Sequence, residues 1–127
     1  MRILKEEIKL SCSADQLWDI LSDVGRCDWV PTIDKIALDN DCRHFEMVGM
    51  GQITEKILIK DHASMTLKYS AIKTPAPIEH HLATMQISSL NDGECLLKWT
   101  TEISPDIFAD SIHQGMLISI EGIKSVI

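Results

Sequence analysis

Residues Gly51 to Ala71 read GQITEKILIKDHASMTLKYSA. From Gly51 to Ile59 the odd positions carry Gly, Ile, Glu, Ile and Ile, and the even positions carry Gln, Thr, Lys and Leu. One side is apolar and the other mostly polar, which predicts a half-buried antiparallel strand. Lys60-Asp61-His62 turns the chain. The strand that follows sets Met65, Leu67, Tyr69 and Ala71 on one face, with Ser64, Thr66, Lys68 and Ser70 opposite. Glu55 is the informative residue, a carboxylate in the middle of the apolar side. A buried charge without a partner is costly. Glu55 therefore has a partner, is protonated, or looks into a wet cavity.

Working back from this pair, Cys42 to Val48 predicts a strand, joined to Gly51 by a tight Gly49-Met50 connection. Cys42, His44, Glu46 and Val48 share one face, and Arg43, Phe45 and Met47 the other. The pattern leaves open which face is inside. Asp39-Asn40-Asp41 is a turn into an earlier strand, Ile33 to Leu38. The N-terminal residues 3–12 alternate as a first strand, with Glu6 a second carboxylate on an apolar side. Ser13 and Gln16 match a capping box, which predicts a helix from Ala14 to about Asp23 with Leu17, Trp18, Leu21 and Val24 inward. Gly25 suits a left-handed cap. Arg26 to Val30 reads as a second short helical turn ended by Pro31, with Trp29 packed under the sheet.

Working forward, Pro75 and Pro77 mark an extended loop. His81–Leu90 and Glu94–Ile103 form a hairpin about the Asn91-Asp92-Gly93 turn. Ser104-Pro105-Asp106 favours a helix start. From Ile107 to Ile127, Phe108, Ile112, Met116, Ile120, Ile123 and Ile127 recur at helical spacing, and Leu117 and Ile118 widen the stripe. Gly115 and Gly122 each weaken that helix by about 1 kcal/mol relative to alanine and predict a close approach to the sheet or a bend.

A chain of 127 residues that is 45% hydrophobic holds one core, so residues 1–127 are expected to form a single domain. The net charge is −7, and the twelve basic residues are scattered. That argues against nucleic acid or an anionic membrane surface as partner. No apolar run is long enough to span a bilayer, and the charged N-terminus lacks a signal peptide's apolar stretch. Both point to a cytoplasmic protein. Cys12, Cys27, Cys42 and Cys95 form no CxxC pair and read as reduced thiols. Adjacent His80 and His81 point to opposite strand faces and do not easily share a metal ion. No catalytic triad order, phosphate loop or nucleotide fingerprint occurs, so no metal or cofactor is expected.

The order strand, two short helices, six strands, long helix, with these residues, resembles the START-like or SRPBCC superfamily, most closely its polyketide cyclase/dehydrase branch. SADQLWDILSDVGRCDWVP is similar to the N-terminal helix pair, with Trp18, Asp23, Trp29 and Pro31 at characteristic places. GQITEKILIKD resembles the G-x-v-x-E strand, and MTLKYSAIKTPAP the Tyr-containing strand and Pro loop. ECLLKWTTEISPD resembles the penultimate strand running into the last helix. The resemblance implies an α+β helix-grip fold, a strongly curved antiparallel sheet of about seven strands around a long C-terminal helix with a cavity between them. Because the chain stops at Ile127, earlier than many relatives, the cavity is expected to be open at one end. In related plant hormone receptors the matching Glu faces the ligand.

These readings place Glu55, Tyr69, His81, Met85, Trp99, Leu67, Met116 and Ile120 around a small hydrophobic ligand such as a lipid, an isoprenoid or an aromatic polyketide. Apolar residues would supply affinity, and Glu55 with Tyr69 or His81 orientation. An enzymatic alternative is a cyclase or dehydratase with Glu55 or His44 as general base, His44 with Glu46 joining only if their face is inward. A third is an interaction module, such as a homodimer through an apolar patch near the chain end.

Overall fold

The computed structural model describes residues 1–127. Seven strands form one antiparallel sheet: β1 (Arg2–Leu10), β2 (Ala37–Asp39), β3 (Cys42–Met47), β4 (Gly51–Asp61), β5 (Thr66–Lys73), β6 (His80–Asn91) and β7 (Glu94–Ser104). Their spatial order is β1-β7-β6-β5-β4-β3-β2. Helix α1 (Ala14–Ser22) follows β1, and a short 3-10 turn (Asp106–Phe108) leads into α2 (Ala109–Val126). The first strand thus closes against the last, and α2 packs on the concave side.

Alternation holds most cleanly in the β6–β7 hairpin. His81, Ala83, Met85 and Ile87 are buried from β6, and Cys95, Leu97, Trp99, Thr101 and Ile103 from β7. All of these except His81 and Thr101 join Leu17, Trp18 and Leu21 of α1 and Met116, Ile120 and Ile123 of α2 in one core cluster. The Ser13 hydroxyl accepts the Gln16 N–H at 3.1 Å, the forward half of the expected capping box. Glu6, on the inner side of β1, bonds His113 Nε2 of α2 at 2.7 Å, which ties helix to sheet. No helix is long and apolar enough to cross a membrane.

Five local expectations are corrected. Residues 26–30 form no helix. Successive turns run through them, with Arg26 N–H to Asp23 O, Val30 N–H to Cys27 O and Ile33 N–H to Val30 O at 2.9–3.0 Å. Gly25 takes no left-handed conformation, and Asp23 ends α1 instead. The strand expected from Ile33 shrinks to Ala37–Asp39, with Ile33 making a single bridge to Met47. Ile59, expected inward, is 42% exposed, because a bulge at Leu58 shifts the β4–β5 register and reverses the alternation. On α2, Leu117 and Ile118 are exposed and do not widen the core stripe.

Gly122 is the close approach that the sequence anticipated, although its neighbour is a loop and not the sheet. A Cβ there would lie 1.9 Å from the Trp29 carbonyl oxygen. The loop after α1 is thereby pressed onto α2, which positions Trp29 for the site.

Candidate functional site between sheet and helix

A three-residue turn, Val48 to Met50, sets Met47 opposite Gly51 and so Arg43 opposite Glu55. Gly49 and Gly51 have φ of +85° and +87°, conformations that glycine adopts without steric cost. Arg43 Nε donates to Glu55 Oε1 at 2.8 Å, and both side chains are largely buried. Arg43 Nη1 donates to the Val24 carbonyl at 3.2 Å, and the guanidinium lies 4.6 Å above the Tyr69 ring. The buried carboxylate therefore has its cationic partner, itself held by a backbone acceptor and an aromatic face.

His81 stands beside Tyr69, ring centres 6.2 Å apart. Its Nδ1 accepts the Ala71 N–H at 2.9 Å, which fixes the neutral tautomer with the proton on Nε2. Burial pushes the His81 pKa down, and His80 adds to this while nearby Glu55 opposes it. Burial also raises the Tyr69 phenol well above its ordinary value, helped by Glu55 and opposed by Arg43. Trp99 meets Trp29 edge-to-face at 6.4 Å. The Trp99 indole N–H is near enough to Tyr69 to favour phenolate slightly, yet it completes no hydrogen bond.

These side chains line a cleft of about 410 Å³ between the sheet and α2, within the size range of small-molecule sites. Of its 24 lining residues, 13 are hydrophobic, so the wall is apolar with polar groups interspersed. Exposed Val48 and Ile118 stand at its rim. The Val48 N–H bonds the Thr32 carbonyl at 3.0 Å, which pins the rim turn to the loop after α1.

Of the residues named from the sequence, Glu55, Tyr69, His81, Trp99 and Met116 come together on this cleft. Leu67, Met85 and Ile120 do not line it and are packed in the core. His44 and Glu46 face outward because Arg43 and Phe45 take the inner face. His44 bonds Thr54 Oγ1 at 2.8 Å there. Arg43 was not anticipated; its shared face with Phe45 and Met47, read together with the turn register, was the available signal. Trp29, expected under the sheet, is buried there and lines the wall, and Ile33, Ile36 and Ser119 complete it from segments whose inward side the alternation did not reveal. No group of three or more His, Cys, Asp or Glu residues could hold a metal ion.

A curved antiparallel sheet gripping a C-terminal helix defines a START-like, or SRPBCC, domain of the helix-grip class. The family model described as polyketide cyclase / dehydrase and lipid transport matches residues 1–119, and the chain belongs to that family. No curated protein matches the chain. Among solved structures, XoxI from Bacillus cereus is similar over 98% of this chain and 94% of its own, with 18% identity and a TM-score of 0.89. A protein from Thermobifida fusca aligns over 98% and 91%, with 19% identity and a TM-score of 0.82. Norcoclaurine synthase from Thalictrum flavum, solved with dopamine and hydroxybenzaldehyde, aligns over 98% and 85%, with 19% identity and a TM-score of 0.79. At these identities the likeness is one of fold.

Proposed function

We propose that the protein binds a small, mostly hydrophobic molecule in the cleft between the sheet and α2. The observation that carries this is the Arg43–Glu55 pair at the wall of an apolar cleft. A protein needing only a stable core at this place would gain as much or more from apolar residues of similar volume. Trp29, Phe45, Trp99 and Met116 would supply apolar contact, while Glu55, Tyr69 and His81 would set orientation. Norcoclaurine synthase, which shares the fold, holds aromatic compounds, and the family's description covers both polyketide chemistry and lipid transport. Lipids, isoprenoids and aromatic polyketides are therefore the classes to screen. The cyclase or dehydratase alternative rests on Glu55, because His44 is outside the cleft.

The test is a fluorescence titration with Prodan, a neutral naphthyl ketone that brightens and shifts to the blue away from water. Saturable binding of one molecule per chain is expected, and no saturation up to the solubility limit would remove the reading.

A further inference from the structure

We infer that the cleft selects a neutral guest with a free hydroxyl, an alcohol or a phenol, which donates to Glu55 Oε2 and accepts from Arg43 Nη2. This inference rests on the binding reading above and narrows its ligand classes to members that keep such a hydroxyl. Two arginines of the chain pair with carboxylates. At the exposed pair both arms of the fork are closed: Arg26 Nε donates to Asp28 Oδ1 at 2.6 Å, and Nη2 to Oδ2 at 2.9 Å. In the cleft wall one arm alone is closed, Arg43 Nε to Glu55 Oε1 at 2.8 Å. Arg43 Nη1 is held by the Val24 carbonyl at 3.2 Å, and the guanidinium lies 4.6 Å from the Tyr69 ring centre. These contacts fix its plane and leave the second arm open. Glu55 Oε2 and Arg43 Nη2 are thus an acceptor and a donor on groups already in contact, neither with a partner in the chain. Solvent reaches both. The sealed side-chain polar atoms without a partner are the Trp29 and Trp99 nitrogens and no others, although the Arg43 and Glu55 side chains are just 8% and 13% exposed. Both residues line the cleft, so it is there that a guest meets them.

A guest that fills the cleft keeps water from both atoms and must supply the bonds that water would make. A charged group buried without them costs more than a neutral one. A ketone or ether oxygen accepts from Nη2 and leaves Oε2 bare. An ammonium does the reverse and stands against the guanidinium, while a carboxylate faces Glu55 and is repelled. Arg43 and Glu55 already neutralise one another, so either ion would also bring an uncompensated charge into a low-dielectric space. A hydroxyl donates and accepts through one atom. It closes the open arm with two charge-assisted bonds and adds no charge. Sites that bond a substrate hydroxyl reject the analogue lacking it far more strongly than apolar pockets reject a missing methylene.

The experiment measures the affinities of 2-naphthol, its methyl ether 2-methoxynaphthalene and the isostere 2-methylnaphthalene for the wild type and for Arg43→Met/Glu55→Met. The wild type is expected to bind 2-naphthol at least about tenfold tighter than either analogue, the size of one net hydrogen bond to a charged group. The double variant should bind it no tighter than either. In the wild type the absorption band of bound 2-naphthol should move to the red, as a phenol's does on donating to an anion. Equal or weaker binding of 2-naphthol by the wild type, a preference that survives in the double variant, or an unmoved band at saturation would overturn the inference and leave the cleft as a binding site. Prodan has no O–H or N–H and reports apolar filling alone, so uptake of Prodan without uptake of 2-naphthol would overturn it too. If neither Prodan nor any of the naphthalenes binds, the binding reading itself fails. Should the double variant not fold, the wild-type ranking and the band position still decide.

Discussion

Arg43 and Glu55 form a pair in which neither residue is tolerable alone. Removing the cation leaves a largely buried carboxylate facing Tyr69, so Arg43→Met should cost about 3 kcal/mol in denaturant unfolding. Removing both charges in Arg43→Met/Glu55→Met should recover most of that loss, because the attraction lost is offset by desolvation no longer required. A double variant as unstable as the single one would mean that Arg43 acts through Tyr69 and Val24, not through Glu55. His81 gives a second residue-scale expectation. Its folded pKa lies below the ordinary histidine value, so the unfolded chain binds more protons in the window between the two. Stability is present above about pH 6.5 and declines as pH falls below it. His81→Asn keeps an acceptor for the Ala71 N–H and does not titrate. Its melting temperature should therefore fall less between pH 7 and pH 5 than that of the wild type. At this scale the sequence announced the anomaly and withheld the answer. Glu55 was visible as a charge on an apolar face, but its partner depended on which side of β3 turned inward, and alternation alone is symmetric in that choice.

The two glycines of α2 have opposite environments, and substitutions should separate them. A methyl at Gly122 would meet the Trp29 carbonyl at 1.9 Å, which neither a carbonyl nor a helix backbone can yield without moving. Gly122→Ala should destabilise by about 3 kcal/mol, the upper end of overpacking costs. Nothing lies within 4 Å of a Cβ at Gly115, so Gly115→Ala should stabilise by up to about 1 kcal/mol through helix propensity. Thermal unfolding of the two variants measures both, and equal effects would contradict the packing described. Strands and helices with strict periodicity were legible at this scale, notably β6, β7 and the Phe108 to Ile123 stripe. The bulge at Leu58 and the turns through residues 26–30 were not. A bulge leaves no mark in a two-residue period, and Cys27-Asp28-Trp29 has no helical alternative excluded until Gly122 draws Trp29 against α2.

For the molecule as a whole, the curved sheet runs from β1 at one edge, through β7 and the strands beside it, to β2 at the other, and the cleft lies between it and α2. Motif order implied that architecture through a resemblance to relatives. The contribution of the loop after α1 to the wall is a tertiary outcome that no single element encodes. The central claim is that this space receives a guest, and Prodan titration of the wild type beside Ser119→Leu addresses it most directly. Ser119 is a buried wall residue, so a leucine there must take up cleft volume. Saturable one-to-one Prodan binding by the wild type, lost or weakened at least tenfold in a Ser119→Leu protein with an unchanged circular dichroism spectrum, is the predicted result. Binding that is absent from the wild type, or undiminished in the variant, would contradict it.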